Sequence, residues 1–147
     1  REPFDVAGAV GSTVRTLALL LREHPVRWDP PPAQLVGLGD EARFQQVLEH
    51  LLENEAKYAP TGWGISIGAW RRDAEIQVYI TDDGPGVPIE DWETVFEPYV
   101  RVDRARSRGS GIGLFAARRL MTAMGGRVWL EANGYGGSRF VVALPAG

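Results

Sequence analysis

The sequence IQVYITDDGPGVP, residues 76–88, joins a clear strand signal to a loop of glycine and proline. Its first half alternates between apolar and polar side chains, and this period of two predicts a half-buried β-strand. The strand delivers the carboxylate of Asp82 into the loop. Gly84 and Gly86 can adopt backbone conformations closed to other residues, and they let a ligand lie close to the main chain. A polar turn between two strands is the alternative, and this stretch alone leaves both interpretations open.

A carboxylate accepts hydrogen bonds, so Asp82 suits a ligand with an exocyclic amine, and adenine is one such ligand.

The composition is compatible with a small-ligand site in a single domain. The chain has 147 residues, of which 44% are hydrophobic and 24% charged, so it can bury a proper core. The absence of cysteine excludes disulfides and thiolate metal sites. The net charge of −3 gives no electrostatic reason to expect nucleic-acid binding.

No apolar run approaches the ~20 residues that a membrane-spanning helix needs, and no signal peptide is evident.

Helical spacing of apolar residues predicts helices over 5–23 and 41–58, with Asp5 and Asp40 as N-caps. A third helix is predicted to run from the glycines near 109 to about Met124, where Gly125 and Gly126 end it. Strands are predicted at 26–28, 34–38, 65–70, 75–81, 128–132 and 138–144, of which 65–70 and 75–81 form a hairpin. This order predicts an α+β sandwich with helices on one face of a mixed sheet.

The helix at 41–58 carries two adjoining stripes. The apolar stripe consists of Phe44, Val47, Leu48, Leu51 and Leu52. The polar stripe, formed by His50, Asn54, Lys57 and Tyr58, could be simply solvated surface. Glu55 falls in the middle of the apolar stripe. Because a bare carboxylate in an apolar setting is costly, we expect Glu55 to find an Arg or backbone donor, or to reach the edge of the helix.

A second glycine loop, GSGIGL at 109–114, opens the last helix. Free backbone N–H groups and the helix dipole make such a start a phosphate site. The pattern alone is weak, because many glycine turns precede helices. The dinucleotide fingerprint fits poorly, because a long irregular loop and not a strand precedes these glycines. That loop, residues 100–108, carries several Arg and is expected to be mobile.

With both glycine loops placed, the chain resembles the catalytic, ATP-binding domain of bacterial sensor histidine kinases, in the GHKL ATPase superfamily. LLENEAKY (51–58) is similar to the family's N box, DDGPGVP (82–88) to its G1 box, FEPY (96–99) to its F box and GSGIGL (109–114) to its G2 box. GYGGSRF (134–140) is similar to the glycine-rich segment before the family's last strand. The resemblance runs from about Phe4 to Pro145, in the family's order. It implies a Bergerat-type two-layer sandwich, with three main helices on a mixed five-stranded sheet, as one domain over 1–147.

The resemblance also implies roles for individual residues. Asp82 would accept the adenine amine, and Asn54 would offer its side-chain oxygen to Mg²⁺ as the metal ligand. Lys57 and Arg101 would lie near the phosphates of ATP and, with Asn54, carry the catalytic role, while Tyr58 would lie near the base or ribose. Residues 97–108 would form a lid over ATP. The remaining nucleotide contacts would come from Gly84, Gly86, Val87, Gly109, Ser110, Gly111, Ile112, Gly113 and Leu114.

The implied activity is ATP:protein-histidine phosphotransfer in two-component signalling. The γ-phosphate would pass to a histidine on a separate dimerisation and phosphoacceptor helical hairpin of the parent kinase, and from there to a response regulator. His24 precedes Pro25 and His50 precedes Leu51, so neither has the acidic neighbour of the acceptor motif. The chain therefore looks like part of a longer protein. Its expected location is cytoplasmic, with no direct membrane or nucleic-acid contact by this domain, whether or not the parent is membrane-anchored.

Two alternatives stay open. An ATP-hydrolysing clamp of the same superfamily would use a Glu base where this chain has His50, so that reading is disfavoured. The histidine kinases usually have Asn at this place. A pseudokinase that binds nucleotide without turnover is disfavoured by the intact Asp82, Asn54 and glycine loops. It is kept alive by His50 and by Glu55, which stands where the family usually has Ala.

Overall fold

A computed structural model describes residues 1–98, 112–134 and 136–147 of the chain. Three helices and seven strands make up these residues. The helices are α1 (Val6–Thr16), α2 (Glu41–Tyr58) and α3 (Gly113–Ala123). The strands are β1 (Glu2–Asp5), β2 (Val26–Trp28), β3 (Val36–Gly39), β4 (Ile65–Arg72), β5 (Glu75–Asp82), β6 (Arg127–Ala132) and β7 (Ser138–Pro145). Two short 3₁₀ turns, Ile89–Asp91 and Thr94–Phe96, follow β5. This arrangement confirms the predicted α+β class.

The main sheet has five strands in the order β2-β4-β5-β7-β6. The β2–β4 pair is parallel and the other pairs are antiparallel, so the sheet is mixed as predicted. The predicted hairpin is present as β4 and β5, with Asp73 at a positive φ of 55° in its turn. In the register, Asp82 pairs with Ile65 at the start of β4. Asp82 therefore leaves the sheet from its central strand.

All three helices contribute to one core against the sheet. The apolar stripe of α2 is fully buried, as the sequence predicts, and alternate residues of β5 such as Ile80 pack in the same cluster. Val10 of α1 and Met121 of α3 complete that cluster. Each fully buried aliphatic side chain stabilises the fold by about 1.5–3 kcal/mol relative to exposure. The helices and the sheet therefore form a well-packed sandwich.

Glu55 is buried together with the apolar stripe of α2, with 3% of its surface exposed. The expectation that helix rotation would carry it to the edge is therefore wrong, because the 3.6-residue period keeps it among its apolar neighbours. That it finds a donor stays a prediction. The predicted N-cap of α2 is confirmed, because the Asp40 carboxylate accepts a hydrogen bond from the Arg43 N–H at 3.1 Å. Asp5 occupies the N-cap of α1, without a side-chain capping bond.

The N-terminal region differs from the sequence prediction in two ways. Strand β1 was not predicted; it pairs with β3 in a separate two-stranded sheet, and Phe4 is its single buried residue. One buried residue is too short a pattern to indicate a strand. Helix α1 ends at Thr16 rather than near residue 23, and Leu19 and Leu20 beyond it are exposed. Leu21 in the same stretch stays buried and donates its N–H to the Leu17 carbonyl oxygen at 2.9 Å, so the turns after Thr16 still contribute to the core.

None of the described helices is long and apolar enough to cross a membrane.

Candidate functional site

The loop of residues 82–88, called the G1 loop below, begins with a carboxylate that already has a fixed orientation. Asp82 is half-buried, and its Oδ1 accepts a hydrogen bond from the Gly84 N–H at 2.7 Å. Its Oδ2 accepts no hydrogen bond from the described part of the chain. By strand alternation Asp82 follows Ile80 on the face that the helices cover. The arrangement leaves one carboxylate oxygen available to a donor on a ligand.

The neighbouring carboxylate has a different task. Asp83 Oδ2 accepts a hydrogen bond from the Gly64 N–H at 2.7 Å, and Asp83 Oδ1 lies 4.0 Å from the Arg27 guanidinium. Asp83 lies one residue past the end of β5, where it bonds the segment that leads into β4. The sequence shows two adjacent acids, and the structure shows that Asp83 ties the loop to the start of β4.

The two glycines of the loop are required for different reasons. Gly86 has a φ of +79°, as expected of a glycine in such a loop, and a Cβ there would also clash with Ser138. Gly84 does not have a positive φ, so it makes no use of that conformational freedom. A Cβ on Gly84 would instead clash with the indole of Trp63. Sequence reasoning ascribed both glycines to an approaching ligand; in the fold, other parts of the protein approach them.

Ser138 is a site residue that sequence reasoning missed. Its Oγ accepts a hydrogen bond from the Val87 N–H at 2.8 Å, and its carbonyl oxygen accepts one from the Thr81 hydroxyl at 3.0 Å. The indole N–H of Trp92 donates to the Val87 carbonyl oxygen at 2.8 Å. The available signal was the serine that ends the glycine-rich stretch before β7. Both backbone groups of Val87 are therefore held by the protein.

Two side chains of the polar stripe of α2 are not held in this way. Asn54 is half-buried and Lys57 is exposed, and neither side chain has a hydrogen-bond partner among the residues that the structure describes. Tyr58 is half-buried one residue further along. Spacings of three and four residues place the stripe on one helix face. The side-chain oxygen of Asn54 is thus available to a hard cation, and the Lys57 ammonium to an anion.

The start of α3 lies beside that stripe. Helix α3 begins at Gly113, and its N-cap residue Ile112 makes no side-chain capping bond. A Cβ placed on Gly113 would lie 3.8 Å from Nδ1 of His50, so the start of α3 meets the polar stripe of α2 here. The backbone N–H groups of Gly113 and Leu114 lie in the first turn of α3, at the positive end of the helix, where anions bind well. The further predicted contacts Gly109, Ser110, Gly111 and Arg101, and most of the predicted lid, lie outside the described residues.

The metal question can be tested on the donor set. Over residues 1–98, 112–134 and 136–147 no group of three or more His, Asp or Glu side chains could hold a metal ion. A divalent cation here would therefore depend on ligand phosphates and water, with Asn54 as a protein oxygen ligand. Mg²⁺ is commonly bound in this way, by few protein oxygens plus phosphates. The residues present fit that kind of binding.

A cavity of about 650 Å³ lies behind the same loop, on the sheet face away from the helices. Arg27, Tyr79 and Arg139 line it, together with Asp82, Asp83 and Gly84. The G1 loop therefore borders this cavity.

Residues 39–147 match the family model of histidine kinase-, DNA gyrase B- and HSP90-like ATPases. The chain is 41% identical over 126 residues to the adaptive-response sensory kinase SasA of Trichormus variabilis. This match covers 84% of this chain and 31% of the relative. It is also 41% identical over 126 residues to the sensor-like histidine kinase SenX3 of Mycobacterium bovis, covering 82% and 30%. The chain thus spans less than a third of the length of these relatives.

Solved structures show the same fold. The mycobacterial sensor histidine kinase MprB superposes with a TM-score of 0.82 at 24% identity, covering 99% of this chain and 97% of that one. The catalytic domain of histidine kinase ThkA superposes with a TM-score of 0.83 at 22% identity, covering 97% and 93%. Full-length ShkA in complex with AMPPNP gives 0.80 at 26% identity, covering 99% of this chain and 31% of that one.

Proposed function

Because this chain belongs to the family of histidine kinase-, DNA gyrase B- and HSP90-like ATPases, we propose that it binds Mg-ATP and donates the γ-phosphate to a protein histidine. The acceptor lies on a separate dimerisation hairpin of a longer sensor kinase, and a response regulator receives the phosphate afterwards. Relatives named as sensor kinases support this reading. The observation that carries it is the Asp82 carboxylate, which is oriented by the Gly84 N–H through Oδ1 and keeps Oδ2 free of hydrogen bonds from the described residues.

In this proposal the residues divide between the base and the phosphates of ATP. Asp82 accepts the hydrogen bond of the adenine amine, and the backbone at Gly86 and Val87 borders the base. Asn54 would hold Mg²⁺, which when bound would supply positive charge beside the transferring phosphoryl group. Lys57 and the N–H groups at Gly113 bind and orient the phosphates. Catalysis then rests on positioning and electrostatics, since no residue of this chain forms a covalent intermediate.

The histidines of the chain support an acceptor elsewhere. His24 is buried, with 5% of its surface exposed, and its Nδ1 donates to the Trp63 carbonyl oxygen at 3.0 Å. Such a ring cannot reach a γ-phosphate without local unfolding. His50 lies on the polar stripe beside Gly113, and in this proposal it contacts a phosphate or a water and does not accept the phosphoryl group. The cytoplasm is the proposed location, because ATP is available there.

A second reading is a nucleotide-binding domain without phosphotransfer. The buried Glu55 favours it, since this carboxylate lies in the core directly next to Asn54 in helix α2. In that case nucleotide would bind but no label would reach a histidine.

The test uses ATP labelled on its γ-phosphate with the chain alone, the acceptor hairpin of the parent protein alone, and both together. We expect label on the hairpin only in the mixture, and negligible phosphate release from the chain alone. Fusing the two pieces should raise the rate through effective concentration. Label on this chain, or brisk phosphate release without the hairpin, would support an ATPase instead. Tight Mg-ATP binding with no label in the mixture would support the second reading.

A further inference from the structure

We propose that Trp63 is a positioning residue for base recognition, acting through Gly84 on Asp82. This inference rests on the proposed binding of ATP and extends it to a residue outside the sequence boxes. Trp63 is half-buried in the segment between α2 and β4. Its indole lies against the Gly84 backbone, at the point where a side chain would otherwise begin.

The contact explains why residue 84 is a glycine. The three atoms nearest to an added Cβ all belong to the six-membered ring of Trp63. Gly84 does not have a positive φ, so its backbone conformation is open to other residues. Space, and not conformation, excludes a side chain. Gly86 provides the contrast, because it combines a positive φ with a close approach of Ser138.

Trp63 is itself fixed from two directions. Its carbonyl oxygen accepts the hydrogen bond from the buried His24, and its backbone N–H donates to the Pro60 carbonyl oxygen at 3.1 Å. The next residue, Gly64, donates its N–H to Asp83. The pair Trp63–Gly64 therefore touches the loop on both sides of the 83–84 peptide bond.

The position of this peptide reaches Asp82 directly. The Gly84 N–H is the donor that orients the Asp82 carboxylate through Oδ1, which leaves Oδ2 for the base. When the indole is removed, the Gly84 amide loses the surface that it rests on. The angle and distance of Asp82 then become less defined, and a hydrogen bond weakens steeply when its geometry is lost. Trp63 thus sets how sharply the amine is recognised without touching it.

The experiment compares the parent with Trp63→Ala, Gly84→Ala and the double variant. For each protein we measure the affinity for ATP and for purine riboside triphosphate, which lacks the amine. Thermal unfolding of each protein is recorded without nucleotide. Trp129→Ala is the matched control, since that indole packs on Arg127 on the open sheet face. Trp63→Phe tests whether a smaller ring partly restores the parent's behaviour.

We expect Trp63→Ala to lower the preference for ATP over the analogue by about three- to tenfold, with Trp63→Phe in between and Trp129→Ala unchanged. Gly84→Ala should lower the unfolding temperature and weaken ATP binding by about tenfold or more. In the Trp63→Ala background the same glycine change should have little further effect, because the ring that it strikes is gone. That non-additivity is the specific signature of contact between the two residues.

The inference is overturned if the effects of Trp63→Ala and Gly84→Ala simply add, which would mean that Gly84 serves ligand approach alone. It is also overturned if Trp63→Ala lowers only the unfolding temperature and keeps the preference measured well below that temperature. A parent that binds neither nucleotide would refute the proposed function. Non-additive unfolding temperatures would then still establish the contact, so the two failures can be told apart.

Discussion

The two sides of the candidate site are built differently. The G1 loop is held by its own protein: Ser138 and Trp92 bind Val87, Gly64 binds Asp83, and Trp63 packs on Gly84. The polar stripe of α2 presents Asn54 and Lys57 without hydrogen-bond partners in the described part of the chain. In the proposed binding mode the base side is therefore preformed, whereas the phosphate side would be completed by the ligand.

The ligand chemistry gives a reason for this difference. A neutral, rigid base is recognised through one directional hydrogen bond, so its acceptor must be oriented in advance to avoid an ordering cost. Phosphates carry charge, which acts over a longer range and tolerates a flexible ammonium. Fixing Lys57 before ATP arrives would gain little.

The largest effect should come from the oriented acid. In Asp82→Asn the side-chain oxygen can still accept from Gly84, but the amide presents a donor to the adenine amine. We expect the preference for ATP over purine riboside triphosphate to fall by about 10- to 100-fold with the loop intact. Titration of each nucleotide by calorimetry measures it.

Asp83→Asn is the matched control for that change, since its side-chain oxygen can still accept from the Gly64 N–H. It should alter the preference by less than about threefold. Equal losses in both variants would mean that Asp82 does not recognise the base.

On the phosphate side, Asn54→Ala should remove the advantage that Mg²⁺ gives to ATP binding. Losing one oxygen ligand should cost about tenfold in the presence of Mg²⁺ and little in its absence. Titrations with Mg²⁺ and with a chelator measure the difference, and the exposed Gln46 of the same helix serves as the control when changed to Ala. Equal weakening under both conditions would count against Asn54 as a metal ligand.

A smaller effect is expected at the support of the loop. Ser138→Ala leaves the Val87 N–H without its acceptor, which should lower the free energy of unfolding by about 1 kcal/mol. ATP binding should weaken by about two- to fivefold, because the other contacts still hold the loop. Ser66→Ala, on the open face of β4, is the control. An unchanged unfolding midpoint in denaturant would show that the loop is not held through Ser138.

The smallest effect on nucleotide is expected on the open sheet face. Burial of the Glu131 carboxylate opposes its charged form, but hydrogen bonds from Arg139 and Trp129 outweigh burial and lower the pKa of Glu131 below its ordinary value of 4.5. A lowered folded-state pKa contributes stability that is present above pH 4.5 and is lost as the pH falls below it.

Glu131→Gln should therefore cost about 1 kcal/mol of unfolding free energy at pH 7 and progressively less below pH 4.5, while ATP affinity stays the same. Denaturant unfolding at several pH values measures the first effect, and calorimetry the second. A pH-independent difference would exclude the carboxylate's charge as its source.

Local patterns predicted much of the fold. The bounds of α2 follow from the Asp40 cap, the apolar stripe and the break after Tyr58, all of which are short-range signals. The β4–β5 hairpin follows from alternation around Asp73. Strand β1 escaped prediction because its stability comes from pairing with β3, more than thirty residues away in the chain. Ser138 escaped as a site residue for the same kind of reason, since its partner Val87 lies 51 positions earlier.

The sequence by itself determined the α+β class and the order of the boxes, because periodicity and residue chemistry are written locally. It also led to the proposal of Asp82, through its chemistry, and of Asn54, through the family resemblance, as site residues. Only the tertiary structure decided that Asp83 anchors the loop and that Gly84 makes room for Trp63. It also decided that the start of α3 faces His50. These are contacts between segments far apart in the chain, and their geometry depends on how the sheet and helices pack.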